Sequence, residues 1–163
     1  MPATKSEELN REIIAKEVET LATTAGSAEE LMMRIVQLLN ERMLKYNWVG
    51  FYMIDLQDPN YLELGPFVGA MTPHTRIPLN QGICGAAALT GTTIVVDDVN
   101  ADSRYLACSL ETKSEIVVPI FAKGKVVGEL DIDSHFAAAF SEDDRHLVEH
   151  CAAVVGKFIE RSA

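Results

Sequence analysis

The segment from residue 116 to residue 133 limits most strongly what this chain can fold into. Two β-type runs, 116–121 and 125–133, are separated only by a short connection around Lys123-Gly124, which predicts an antiparallel hairpin. Two more aromatic and β-branched runs, 48–54 and 61–64, lie on either side of the turn signal at residues 58–60 and predict a second hairpin. The middle of the chain therefore predicts a mostly antiparallel sheet.

Helical patterns bracket this sheet at both ends of the chain. Apolar residues recur at helical spacing over residues 6–23, and Ser27 followed by Glu30 predicts the start of a second helix that runs to about residue 45. Ser141 predicts the start of the last helix, with acidic residues in its first turn. Helices at both ends around a central sheet predict a single α+β domain spanning residues 1–163.

The remaining segments are shorter. Residues 65–78 predict a loop with an edge strand, 82–89 a helix of small residues, and 93–96 a strand. Residues 97–114 predict a long polar loop with a short helical turn near Ser103. Loops of this length between strands are usually functional.

Composition excludes several partners and compartments. The chain has 24 acidic against 14 basic residues, and a net charge of −10 disfavours nucleic acid and anionic membranes. The polar N-terminus and the lack of an apolar run of ~18 residues predict no signal peptide and no membrane span, so we expect a cytoplasmic protein with reduced thiols. Three cysteines, an odd number, argue against a disulfide framework.

The three thiols occupy different settings. Cys108 lies in the long polar loop, seven residues ahead of Glu115, which favours a reactive thiol. Cys84 begins the small-residue helix, where the helix dipole stabilises a thiolate; tight packing of a small residue explains it equally well. Cys151 lies on the apolar stripe of the last helix, which predicts a buried and inert thiol.

Strand alternation groups two further sets of side chains. Trp48 and Tyr52 share a face with Gly50 between them, a gap that either admits a small ligand or, if the aromatics are core residues, is filled by a helix. Three acidic residues share a face of the later strand, namely Glu129, Asp131 and Asp133. A solvated outer face is the favoured interpretation for a lone strand, and a site that binds a cation or an ammonium group is the alternative.

No pattern indicates a metal or an organic cofactor. The EF-hand and P-loop patterns are absent, and His146 and His150, one helical turn apart, predict a solvated pair.

A set of short segments distributed over nearly the whole chain resembles the GAF domain, and within it the free methionine-(R)-sulfoxide reductases. The segments are Asn47-Trp-Val-Gly-Phe-Tyr52, Leu64-Gly-Pro-Phe67, Arg76-Ile-Pro78, Gly82-Ile-Cys-Gly85, Asp98-Val99, Ala107-Cys108, Ser114-Glu-Ile-Val-Val-Pro119 and Gly128-Glu-Leu-Asp-Ile-Asp-Ser134.

This resemblance implies a fold and a set of roles. It implies a GAF-like fold, a catalytic Cys108, and Cys84 as a second family cysteine. The substrate-binding residues that it implies are Trp48, Tyr52, Glu115, Asp131 and Asp133. The family usually has a further cysteine, the resolving thiol, just before the Arg-Ile-Pro motif; His74 stands there in this chain, which leaves Cys84 as the substitute.

The activity implied is reduction of free methionine (R)-sulfoxide through a cysteine sulfenic acid and a disulfide, with thioredoxin as reductant. A homodimer joined through the terminal helices is expected by analogy with other GAF-like folds. The alternative hypothesis is a GAF module that binds a small ligand for signalling without turnover, and the replacement of the usual cysteine by His74 favours it.

Overall fold

The structure, a computed structural model, describes residues 2–106 and 110–162. The helices are α1 (Lys5–Thr24), α2 (Ala28–Arg42), α3 (Gly82–Thr90) and α4 (Glu142–Ser162), with a 3₁₀ turn at Val99–Ala101. The strands are β1 (Trp48–Ile54), β2 (Tyr61–Val68), β3 (Arg76–Pro78), β4 (Ile94–Val96), β5 (Ser114–Ala122) and β6 (Lys125–Ser134).

The six strands form one antiparallel sheet in the order β3-β2-β1-β6-β5-β4. Both predicted hairpins are present, β1 with β2 and β5 with β6, and β1 joins them by pairing with β6. The expected α+β fold with a mostly antiparallel sheet is confirmed.

The two faces of the sheet are covered by different helices. One face packs under α1, α2 and α4 around a core that includes Val49, Phe51 and Leu130. The other face packs under α3 with a second cluster that includes Trp48 and Tyr52. The alternation of β1 thus directs Val49 and Phe51 to the first core and the polar-tipped aromatics Trp48 and Tyr52 towards α3.

Local sequence explains where the first two helices begin. Thr4 and Glu7 form a reciprocal capping box at α1, with Glu7 N donating to Thr4 Oγ1 at 3.1 Å. Ser27 Oγ accepts from Glu30 N at 3.1 Å at the start of α2.

Three predicted boundaries are wrong. Helix α2 ends at Arg42, not near residue 45, because Met43 is extended and Asn40 Nδ2 donates to Tyr46 O at 3.0 Å, which holds a turn there. Strand β2 continues past residue 64 through Gly65-Pro66, where a β-bulge opposite Phe51 accommodates the proline. The helical turn in the long loop lies at Val99–Ala101, before Ser103, because Asp98 caps Asn100 N at 3.0 Å.

Within the described ranges, no helix is long and apolar enough to cross a membrane.

Candidate functional site

A cavity lies between α3 and the sheet face that α3 covers. It contains about 410 Å³ of space free of protein atoms, part of it open to solvent. The lining residues are Trp48, Tyr52, Thr72, His74, Ile77, Gly82, Ile83, Cys84, Tyr105, Leu106, Glu115, Asp131 and Asp133. The cavity thus brings together every site residue named from the sequence except Cys108, which lies outside the described residues.

The acidic side of the cavity is built by strand register. Asp133 on β6 lies opposite Trp48 of β1 on one side and opposite Glu115 of β5 on the other. Asp131 lies two residues earlier on β6 and therefore faces the same way. Three neighbouring strands in this way place an aromatic ring and three carboxyl groups side by side.

These carboxyl groups are buried, so the prediction of a solvated outer face is wrong. Glu129 is 0% exposed, Asp133 3%, and Glu115 and Asp131 5% each. Helix α3, which lies some forty residues earlier in the chain, packs over this face together with Tyr105 and Leu106. Buried carboxyl groups need partners, because an unpaired buried charge is far more costly than a paired one.

Burial also sets the protonation of the acids. It raises the pKa of Glu115 well above its usual range, and the neighbouring charges of Asp131 and Asp133 raise it further. Burial likewise raises the pKa of Asp131, although hydrogen bonds from Glu115 and Cys84 oppose that rise. These shifts favour a proton on Glu115, which shares a hydrogen bond with Asp131.

Cys84 lies at the start of α3 and points at the same acids. Its Sγ donates to Asp131 Oδ2 at 3.4 Å. Burial raises the pKa of this thiol well above its usual range, and the charges of Asp131, Glu129 and Glu115 add to the effect. The expectation that the helix dipole yields a thiolate is wrong here, because desolvation and three nearby acids outweigh the dipole.

The aromatic side of the cavity is a stack of rings. Trp48 lies between Tyr52, at 6.2 Å between ring centroids, and Phe67, at 5.7 Å. Trp48 Nε1 donates to Ala70 O at 3.0 Å, and the Tyr52 hydroxyl donates to His74 O at 2.7 Å. These hydrogen bonds attach the segment carrying His74 to the wall of the cavity.

Gly50 does not leave a vacant gap between the aromatics. A Cβ added at Gly50 would lie 2.6 Å from Trp48 Cζ3 and 2.9 Å from Phe67 Cβ. The indole ring of Trp48 itself therefore covers the glycine, and neither the proposed ligand gap nor a helix occupies that space.

Several lining residues were not singled out from the sequence. They are Thr72, Ile77, Gly82, Ile83, Tyr105 and Leu106. Two of these were accessible to inference: Gly82 and Ile83 immediately precede Cys84, and a thiol at a helix start implies that its neighbours share the site. For the others the sequence carries no comparable signal.

The third thiol is separate from the site. Cys151 is fully buried in the core on α4, and burial raises its pKa to about 12, so the predicted burial of this thiol is confirmed. His146 is exposed as expected, whereas His150 is partly buried, with Nε2 at 3.3 Å from Ala15 O.

An antiparallel sheet with one helix closing a pocket on its second face is the architecture of a GAF domain, and the GAF domain family matches residues 27–159. The chain is 33% identical over 155 residues to the free methionine-R-sulfoxide reductase of Escherichia coli, and the aligned region covers 93% of this chain and 87% of that protein. The chain belongs to the GAF domain family and, within it, to the free methionine-R-sulfoxide reductases.

Solved structures agree with this assignment. The free methionine-R-sulfoxide reductase of Neisseria meningitidis, in complex with its substrate, matches with a TM-score of 0.89 at 34% identity, covering 99% of this chain and 96% of that one. The Staphylococcus aureus enzyme, also in complex with substrate, matches with a TM-score of 0.83 at 34% identity, covering 92% and 95%.

Proposed function

We propose that this protein is an oxidoreductase that reduces free methionine (R)-sulfoxide to methionine, in the cytoplasm, with thioredoxin as the reductant. The observation that carries the proposal is the cavity itself, which joins a thiol, a row of buried carboxyl groups and an aromatic wall in the fold of this family. The homodimer expected from the resemblance stays a prediction.

The cavity supports binding of a free amino acid. The carboxyl groups of Asp131 and Asp133 suit the substrate ammonium, and the rings of Trp48 and Tyr52 suit its sulfur-bearing end. Helix α3 begins at the cavity and has no side-chain cap from Gln81, so its first-turn N–H groups suit the substrate carboxylate.

Two groups divide the chemistry of the first step. In the proposal, the Cys108 sulfur attacks the sulfoxide sulfur while Glu115 protonates the sulfoxide oxygen. The oxygen passes to Cys108 as a sulfenic acid, and methionine leaves, reduced by two electrons. Leu106, which precedes Cys108 by two residues in the sequence, lines the cavity and supports this assignment.

A second thiol then restores the enzyme. Cys84 attacks the sulfenic sulfur of Cys108, a disulfide forms, and the oxygen leaves as water. Asp131 accepts the hydrogen bond of Cys84, which suits it to receive the thiol proton in this step. Thioredoxin reduces the disulfide back to two thiols. Because acids and burial keep Cys84 protonated, Cys108 is the better candidate for the first attack.

The decisive assay couples turnover to NADPH consumption through thioredoxin and its reductase. We expect consumption with free methionine (R)-sulfoxide, none with the (S) epimer, and none for Cys108→Ser with either. Cys84→Ser completes one turnover and then stops, and Cys151→Ala, the matched thiol control, keeps parental turnover. If the parent protein consumes NADPH no faster than Cys108→Ser does, the reductase proposal fails and a ligand-binding GAF module is the remaining hypothesis.

A further inference from the structure

Three groups around the cavity are arranged as metal ligands. Cys84 Sγ, a Glu115 carboxyl oxygen and an Asp131 carboxyl oxygen all lie within 4.8 Å of one another. All three residues are buried, and they come from three different elements, α3, β5 and β6. A cation at their centre would be held by the fold and not by one flexible loop.

The separation of Cys84 Sγ and Asp131 Oδ2 fits two ligands of a tetrahedral ion. Zinc binds thiolate sulfur at about 2.3 Å and carboxylate oxygen at about 2.0 Å, so a tetrahedral angle places these two atoms about 3.5 Å apart. Cys84 Sγ and Asp131 Oδ2 are 3.4 Å apart. A thiolate with two carboxylates favours zinc over calcium or magnesium, which prefer oxygen ligands alone.

A fourth group gives an independent indication. Glu129 is fully buried beside the Cys84 thiol, and neither of its carboxyl oxygens makes a hydrogen bond of good geometry among residues 2–106 and 110–162. Strand alternation places it on the same face of β6 as Asp131. Because a thiol is only a weak hydrogen-bond donor, this buried carboxyl group stays under-satisfied, and a bound cation would supply a stronger interaction.

We propose that Cys84, Glu115 and Asp131, with Glu129 beside them, form an inhibitory site for Zn²⁺. This departs from the expectation of no metal. Binding displaces the proton of the Cys84 thiol and those of the carboxyl groups that hold one, because zinc binds the deprotonated ligands. Metal binding stands independently of the proposed reductase activity. Only the inhibition rests on that function, since zinc would occupy the thiol and the acids that the reaction uses.

The test is a zinc titration of the Cys108→Ser protein in competition with a chromophoric chelator; the substitution removes the loop thiol as a ligand. We expect this protein to bind one equivalent of Zn²⁺. Adding Cys84→Ser or Asp131→Asn weakens zinc binding at least ten-fold, and adding Cys151→Ala leaves it unchanged. Glu129→Gln, which keeps the shape of the side chain, weakens binding with the Cys84 ligand intact. Thermal melts establish that each variant is folded.

Cobalt provides a readout that does not depend on activity. Co²⁺ bound at this site produces thiolate-to-cobalt charge-transfer absorption, which Cys84→Ser abolishes. Equal zinc affinity with and without Cys84, or no stoichiometric binding by the folded Cys108→Ser protein, overturns the site. If zinc binds but the parent shows no reductase activity, the site stands and the proposed function fails. The reverse result leaves the function and removes the site.

Discussion

The contact between Trp48 and Gly50 gives the sharpest prediction about the cavity wall. The indole ring lies directly over Gly50, and a second glycine, Gly69, meets its other edge, where an added Cβ would be 2.6 Å from Trp48 Cδ1. Carbon atoms in ordinary contact are about 3.5–4.0 Å apart. A methyl group at position 50 therefore forces the ring to move by about 1 Å or more.

We predict that Gly50→Ala destabilises the protein and weakens substrate binding together. Overpacking of this kind costs about 1–3 kcal/mol, which in a chain of this size lowers Tm by roughly 3–10 °C. The displaced ring also strains the hydrogen bond from Trp48 Nε1 to Ala70 O. Urea denaturation measures the free energy of unfolding, and calorimetry with free methionine (R)-sulfoxide, in the Cys108→Ser background, measures affinity.

A double-mutant cycle isolates the contact. In a Trp48→Leu background the clash with the indole ring is removed and only the contact with Phe67 Cβ at 2.9 Å remains, so Gly50→Ala loses at least about 1 kcal/mol of its destabilising effect. Gly65→Ala is the matched control, because a Cβ there meets nothing closer than Phe51 O at 3.3 Å. Additive free energies for Gly50→Ala and Trp48→Leu would refute the reasoning, as would a Gly50→Ala protein as stable as the parent.

Three more predictions concern the core. Tyr46→Phe removes the bond from the buried hydroxyl to Asp144 Oδ1 at 2.6 Å and lowers the free energy of unfolding by about 1.5–3 kcal/mol in urea titrations. Cys151 keeps its proton in the fold to about pH 12 but loses it near pH 9 when unfolded, so stability falls as pH rises through this window. From pH 8 to pH 10, Cys151→Ala therefore loses about 1.4 kcal/mol less than the parent, and equal losses contradict the assignment. Gly156→Ala places a methyl group against Phe121 O, separates α4 from β5 and costs at least about 1 kcal/mol by the same titration.

Periodicity predicted the elements well because each pattern reports a local preference. The β-type runs of β1, β5 and β6, rich in β-branched and aromatic residues, and the 3.6-period runs of α1 and α4 were identified within a few residues. The boundaries were wrong where a tertiary contact decides them. Gly65-Pro66 predicts a break in the strand, yet the bulge opposite Phe51 lets β2 continue through it.

The environment of the acids could not be predicted in the same way. The alternation of side chains along a strand predicts that Glu129, Asp131 and Asp133 share a face, but it does not predict what covers that face. The cover is α3, whose pattern of small residues gives no indication of which strands it packs on. The convergence of Trp48 with these acids followed only from the family resemblance, because it depends on the pairing of β1 with β6.

The buried acids are also where the chain departs most from the rules that make a stable core. Glu115, Glu129 and Asp131 lie at most 5% exposed beside a protonated thiol, an arrangement that an apolar core would replace at a gain in stability. Sequences keep such violations where a ligand supplies the missing partners. An ammonium group donates hydrogen bonds to carboxylates and zinc accepts their lone pairs, so both proposed ligands relieve the same strain. They differ at Cys84, which zinc needs as a ligand and the ammonium group does not. We therefore predict that the Cys84→Ser protein keeps its affinity for the amino acid but loses its affinity for zinc.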